Sequence, residues 1–315
     1  MSEAMERAKR ELDWIQAHGI HVWTLTDENY PYRLRQCPDR PVVLYGKGNI
    51  RPSEGHMVSI VGTRRPTERG KELTRRLVHD LHDRLGDVTI VSGGAYGIDI
   101  AAHRAAIECG IPTFIIPAHG LDRIYPYHHR PDAIAALAHG GLLTEFPSET
   151  EPLPANFLQR NRIIAGLADT VVVVESREKG GSLVTANMAV DYNRELMAFP
   201  GRPDDLSSLG CNRLISSSKA HLINNADDLI ALMEWKTKSE ASKPIQTTMI
   251  ELMDDLTPLQ QTLLAKLQES EEGLNINFLV METEQPYDTV ASELVMLELQ
   301  GFIRSLPGGF YRFVR

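Results

Sequence analysis

The sequence predicts an α/β protein, with a doubly wound, mostly parallel sheet followed by a small winged-helix-like unit, and three observations carry that prediction. Apolar, β-branched runs without polar alternation recur from Met57 onward (VSIVG, VTIVS, TFII, TVVVV), which marks strands buried on both faces. Helix-period segments or long crossovers separate these runs, as parallel strands require. Beyond the polar stretch KTKSEASKP (236–244) the pattern changes to three helical segments and a closing pair of alternating strands.

Taken in order, residues 3–18 have helical periodicity, with Ala4, Ala8, Leu12 and Ile15 on one face and Gly19 as the stop. HVWTL reads as a strand. Val42 to Tyr45, just after Pro41, reads as an edge strand, so this opening is expected to cap the main domain. The alternating region then runs VSIVG, a helix through Leu73 and Leu77, VTIVSGG, a helix from Ile98, and the strands PTFIIPA, GGLLTEFP, DTVVVVE, ELMAFPG and KAHLI. In the last unit Thr257-Pro258 forms a helix start ahead of the stripe Leu259, Leu263, Leu264 and Leu267. Helices are expected at Asn275–Met281 and Tyr287–Leu299, then a hairpin about Pro307-Gly308-Gly309. The expected division is 1–55 as an extension, 56–235 as the main domain, 236–255 as a linker and 256–315 as the winged-helix-like unit.

Composition excludes several classes. The chain of 315 residues has a formal net charge of -9, so it lacks the overall positive field of a general polyanion binder, and nucleic acid would need a local basic patch. The acidity is concentrated: residues 245–315 hold 4 basic side chains against 11 acidic ones, a balance of -7. No apolar run is long enough to span a bilayer, and the opening residues lack a secretory h-region, so a cytoplasmic protein is expected. Cys37, Cys109 and Cys211 are widely spaced without any CxxC, and no histidine pair has a carboxylate at zincin spacing, so neither a disulfide framework nor a metal site is expected. GxxxxGK[ST], GxSxG and a GxGxxG after the first strand are all absent.

The stretch VTIVSGGAYGIDIAAH (88–103) reads as strand, tight turn and helix. Ser92, Gly93 and Gly94 in such a turn aim backbone N–H groups at one point, where a phosphate is the natural occupant; the alternative is that the glycines only permit close packing of strand and helix. His103 on the following helix is expected to hydrogen-bond and fix the turn. Gly62, Thr63 and Arg64 follow the first strand of the main domain, where a guanidinium can clamp a phosphate in bidentate fashion. Arg160, Asn161 and Arg162 start an apolar helix whose arginines are expected on the same face, and Gly180, Gly181 and Ser182 open a later helix with bare amides. Tyr96, Tyr125, Tyr127 and Phe157 near the same edge can stack on bases.

Taken together, VGTRRPT, SGGAYGIDIAAH, GLDRIYP, FLQRNRIIAGLAD, ESREKGGSLVTA and LGCNRLI closely resemble, in order, the DNA-processing protein A family (DprA or Smf), over roughly residues 20–232 and on through the winged helix. The resemblance implies an extended Rossmann-like domain that binds single-stranded DNA without catalysis, dimerises, and loads a RecA-type recombinase in natural transformation, with no cofactor. Its motifs fall on Gly62 and Arg64, on Ser92, Gly93 and Gly94, and on Arg160, Asn161 and Arg162. Three departures stand out. Tyr96 occupies a position where the family often has Lys or Arg, the N-terminal region is shorter than in many members, and the acidic winged helix suits a protein contact better than a DNA groove. The competing enzyme reading is a nucleoside-monophosphate phosphoribohydrolase with Glu175 as its carboxylate. That family's Pro-Gly-Gly-x-Gly-Thr-x-x-Glu loop is replaced here by SGGAYGID.

Overall fold

The computed structural model describes residues 3–241, 256–268, 270, 273–306 and 309–314, which divide into two compact units, 1–240 and 241–315. Among the described residues, nine strands of the first unit form one sheet. They are β1 (His21–Thr24), β2 (Val43–Gly48), β3 (His56–Val61), β4 (Val88–Ser92), β5 (Thr113–Ile115), β6 (Gly141–Thr144), β7 (Thr170–Val173), β8 (Glu195–Ala198) and β9 (His221–Leu222), in the spatial order β1-β2-β6-β5-β4-β3-β7-β8-β9. All neighbours from β6 to β9 are parallel, whereas β1–β2 and β2–β6 are antiparallel. The strand order reverses at β3, with β4 on one side and β7 on the other. A crevice therefore opens beyond the carboxyl ends of β3 and β7, where doubly wound sheets place their ligands.

Strand alternation explains the two cores. Val171 and Val173 join one apolar cluster with Ile163, Ile164 and Ala186, while Val172 and Val174 join the opposite one with Leu77, Leu81 and Ala102. Helices α3 (Glu68–Arg84) and α4 (Ile98–Cys109) cover the second face, and α6 (Pro154–Leu167) and α7 (Ser182–Asp191) the first. Short helices α2 (Tyr32–Arg35), α5 (Arg130–Ala136), α8 (Leu209–Ser216), α9 (Ala226–Leu232) and α10 (Lys238–Ala241) complete the described part of the unit. Cys37 and Cys211 are buried as expected, while Cys109 is only half-buried. No described helix is long and apolar enough to cross a membrane.

Two expectations for the opening segment are corrected. β2 is not an edge, because β1 pairs outside it, with Trp23 lying over Gly46, where a Cβ would come within 2.5 Å of the indole. Helix α1 (Glu3–His18) has the expected limits, but Ala4, Ala8 and Leu12 face solvent. Its attachment is polar instead: the buried Glu11 carboxylate accepts from Ser148 N at 2.9 Å and Ser148 Oγ at 2.6 Å. A buried carboxylate must be hydrogen-bonded, and that requirement sets the docked face over a weak alanine stripe.

Among its described residues from 256 onward, the second unit has three helices, α11 (Pro258–Gln268), α12 (Ile276–Thr283) and α13 (Tyr287–Leu299), with a small sheet β10 (Leu274–Asn275), β11 (Ile303–Leu306) and β12 (Phe310–Phe313) in the order β10-β12-β11. Thr257 and Gln260 form a reciprocal capping box at α11, N–H to side chain at 2.9 and 3.2 Å. Leu263, Leu264 and Leu267 pack on Leu279, Val290 and Leu294. This is a winged helix, with β10 added to the expected hairpin. Most of the expected linker (242–255) and residues 307–308 of the hairpin turn lie outside the described residues.

Arg33 of α2 ties the opening segment to the sheet. Its Nε and Nη2 donate to the two carboxylate oxygens of Asp169 at 2.6 and 2.8 Å, Nη2 also reaches Gly55 O, and Asp169 accepts from Met57 N at 2.8 Å. Removing one member of a buried pair strands the other. Asp169→Ala is expected to cost about 3 kcal/mol, the low end of that range because Asp169 is partly exposed, measured as a lower midpoint in urea unfolding.

Candidate functional site

The loops after β3 and β7 are stitched together before any ligand arrives. Thr63 N donates to Glu175 O at 2.8 Å, Ile98 N to Thr63 O at 3.3 Å, and Gly210 N to Ser176 O at 2.8 Å. Gly97 (φ +90°) makes this possible, since a Cβ there would sit 2.2 Å from Thr63 O. Between the loops and the first turns of α6 lies a cavity of about 320 Å³, a size suited to a small-molecule-sized group. Gly62, Thr63, Arg64, Phe157, Arg160, Asn161, Gly180, Gly181 and Ser182 all line it, so nine of the expected residues converge.

Arg160 forms part of the cavity wall and is itself buried, with Nη1 donating to Ile116 O and Nε lacking a partner. Burial pushes its guanidinium down to about 10; Asp99 opposes that shift and the positive charge of Arg64 adds to it. Asp99 also lines the cavity, and burial pushes its carboxyl up to about 6, against Arg160 and the N–H groups of Ala95 and Gly93. Arg160 therefore stays cationic at neutral pH, while Asp99 holds its proton to higher pH than an ordinary aspartate. Gly93 makes their approach possible, because a Cβ on it would lie 2.1 Å from Arg160 Nη1 and 2.7 Å from Asp99 Oδ2.

The mouth is cationic. Arg64, Arg177 and Lys179 line the cavity, are exposed, and have no ion-pair partner among the described residues. Glu178, between the last two, instead pairs with Arg213 at 3.4 Å. Phe157 is half-buried among the arginines, with the guanidinium carbons of Arg64 and Arg160 at 5.6 and 5.8 Å from its ring centre. The sequence reading missed Arg177, Lys179 and Asp99. The signal for the first two was the pair of basic residues just before Gly180-Gly181.

Five expected residues lie outside the cavity. Ser92 is fully buried and donates to Ile60 O at 2.6 Å; Gly93 and Gly94 support the wall from behind and border a separate void of about 20 Å³. The Gly93 amide of the SGG turn is not open to an outside anion, because Asp99 in the first turn of α4 takes it from within the fold, together with Ala95 N at 3.4 Å from Oδ2. Tyr96 stands beyond the rim, edge-on to His129 at 4.7 Å. Arg162 does not reach the face of Arg160: it forms a half-buried ion pair with Glu145, since two residues along an α-helix rotate a side chain by about 200°. His103 is buried, its Nδ1 shares a hydrogen bond with Thr113 Oγ1 on β5 at 2.7 Å, and burial pushes it down to about 3.

Glu175 faces away from the cavity. Its carboxylate accepts from Thr67 N at 2.9 Å and from Thr67 Oγ1 at the start of α3, and packs against Gly70. Among the described residues no cluster of three His, Cys, Asp or Glu is arranged to hold a metal ion.

Residues 21–234 match the family model for DNA recombination-mediator protein A, and residues 251–309 that for the DprA winged helix domain. The chain belongs to the DNA processing protein A (DprA/Smf) family. It is 32% identical to protein Smf of Escherichia coli over 305 residues, covering 96% of this chain and 80% of that one, and 39% identical to DNA processing protein DprA of Bacillus subtilis over 221 residues, 70% and 73% of the two chains. Its fold is similar to the DprA structure of Streptococcus pneumoniae, with TM-score 0.64 and 33% identity over 72% of this chain and 80% of that one. A DprA structure from Helicobacter pylori, described for its single-stranded DNA binding mode, matches with TM-score 0.60 and 31% identity over 68% and 95%. The DprA fold and winged helix expected from the sequence are both present, and the role that goes with them is that of a DNA-processing recombination mediator.

Two consequences of the cavity wall are measurable. Gly93→Ala is expected to lower stability by about 1–3 kcal/mol through overpacking, read by chemical denaturation. For Asp99 the folded pKa exceeds the unfolded one, so between pH 4 and 6 the native state binds more protons and stability falls as pH rises. The wild type is expected to lose roughly 2 kcal/mol relative to Asp99→Asn between pH 4 and 7, and parallel unfolding curves for the two proteins across that range would contradict it.

Proposed function

We propose that the cavity grips the sugar-phosphate backbone of single-stranded DNA without cleaving it, and that the protein delivers the strand, as a homodimer in the cytoplasm, to a RecA-type recombinase during transformation. The observation that carries this reading is the convergence of three exposed, unpaired cations with Phe157 in one crevice of a protein whose net charge is -9. With a net charge of -9 the surface as a whole does not attract a polyanion, so binding depends on a local cationic patch such as this one. A single strand offers both phosphates for the cations and unstacked bases for the ring, whereas a duplex hides its bases. The H. pylori relative described for single-stranded DNA binding supports the ligand class, and the family of recombination mediators supports the role.

The binding residues in this reading are Arg64, Arg177, Lys179 and Phe157, with the amides of Gly180, Gly181 and Ser182 behind them and Arg160 as a fixed charge in the wall. Residues 56–235 form the DNA-binding domain, with 1–55 as its extension, 236–255 as the linker and 256–315 as a domain for protein contact, in keeping with its acidity. The phosphoribohydrolase alternative has no support from the position of Glu175, whose carboxylate is committed to the start of α3.

Fluorescence-anisotropy titration of labelled oligo-dT tests the reading. Arg64→Ala is expected to weaken binding roughly tenfold and to reduce the slope of log K against log salt by about one counterion's worth, with duplex a poor competitor. Binding unchanged in both respects, or equal competition by duplex, counts against it. Base release from nucleoside monophosphates that disappears in Glu175→Gln would favour the enzyme instead.

A further inference from the structure

Three tyrosines beyond the rim are more exposed than buried aromatic packing would leave them: Tyr96 at 48%, Tyr125 at 55% and Tyr127 at 74%. They continue from the cavity. Tyr125 meets the edge of Phe157, ring centres 6.1 Å apart, and both Tyr125 and His129 border the small void behind Gly94; Tyr96 then stands edge-on to His129 at 4.7 Å.

The backbone that carries these rings is fixed by the fold. Tyr125 N donates to His119 Nε2 at 3.2 Å, and His119 is buried; His129 Nδ1 donates to Gly94 O at 2.9 Å, which ties the short 3₁₀ turn Tyr127–His129 to the loop carrying Tyr96. Rings on a pre-positioned backbone lose little freedom when a partner stacks on them. The charges are divided in the same way. Arg123, beside Tyr125, is committed to Asp122 at 3.1 Å, whereas the unpaired cations Arg64, Arg177 and Lys179 belong to the cavity.

We propose that Tyr125, Tyr127 and Tyr96 form a base-stacking lane that leads out of the phosphate-binding cavity from Phe157 and carries the bases next to the nucleotide held there. This rests on the single-strand reading above and adds a division of labour to it: the cavity holds backbone charge, and the lane holds bases. Stacking makes no demand on base identity, because every base has a π-face, so the lane lengthens the footprint without imposing sequence preference. It also discriminates against duplex, whose bases are already stacked on each other.

The experiment separates the two contributions. Affinities of oligo-dT and of the same-length oligonucleotide with abasic sites are measured against salt for wild type, Arg64→Ala, Tyr125→Ala/Tyr127→Ala, and Tyr125→Phe/Tyr127→Phe. The alanine pair is expected to lose about tenfold or more in dT affinity, with the salt slope unchanged and abasic affinity at the wild-type level. The phenylalanine pair is expected to retain dT affinity, which also controls for folding. If the alanine pair binds dT like wild type while Arg64→Ala is weakened, or if abasic affinity falls in parallel with dT, the lane is overturned and the cavity reading stands. If the tyrosine variants alter only the oligomeric state, the rings form a protein contact and the lane is likewise overturned. Failure of the wild type to bind dT at all removes the single-strand reading and the lane with it.

Discussion

The site depends on a buried guanidinium. Arg160 is taken out of water beside a glycine and within the field of Asp99, and a charge in that position persists only where the fold supplies a carbonyl, an opposite charge and space. Ile116 O, Asp99 and the missing side chain of Gly93 supply these three. Arg160 is thereby a fixed charge in the cavity wall. The exposed cations at the mouth then add charge that is free to move onto a ligand, and the two kinds of arginine have separate tasks.

The same economy governs the acidic groups. Glu175 lies two residues beyond β7 and one before the cavity-lining Ser176, yet its carboxylate turns to Thr67 and the first turn of α3. Negative charge is favourable at a helix N-terminus, so this carboxylate is stabilised where it cannot repel an anion. Glu178 behaves similarly by turning to Arg213, and Glu145 is paired with Arg162. Asp99 is the acid that remains at the cavity, and it is occupied by the amides of its own loop. A protein that is acidic overall thus keeps one crevice positive by giving each nearby carboxylate a partner elsewhere.

Much of the architecture was legible in the sequence because its signals are local. Unalternated runs such as Val171–Val174 can be satisfied only by burial on both faces, so the parallel sheet followed from them. The Thr257-Pro258 start and leucine stripe of α11 likewise identified the second unit. The site was partly legible: glycine and arginine at Gly62–Arg64 and at Arg160 pointed to the crevice, while Arg177 and Lys179 passed as ordinary loop charges. Local signals were weakest at the opening helix, where alanine spacing suggested one face and the Glu11 carboxylate selected another.

The sequence by itself determined the order and type of the elements, the family, and the clustering of glycines and arginines at the carboxyl ends of strands, because these depend on neighbours a few residues apart. Only the tertiary structure decided which of those residues share a cavity. Arg160 and Arg162 are equivalent on paper, but helix rotation sends one to the cavity wall and the other to Glu145. The SGG turn looks like an anion site until Asp99 is seen to occupy it from within the fold. Whether a polar group is available or already satisfied depends on what packs against it from distant parts of the chain, and no local pattern encodes that.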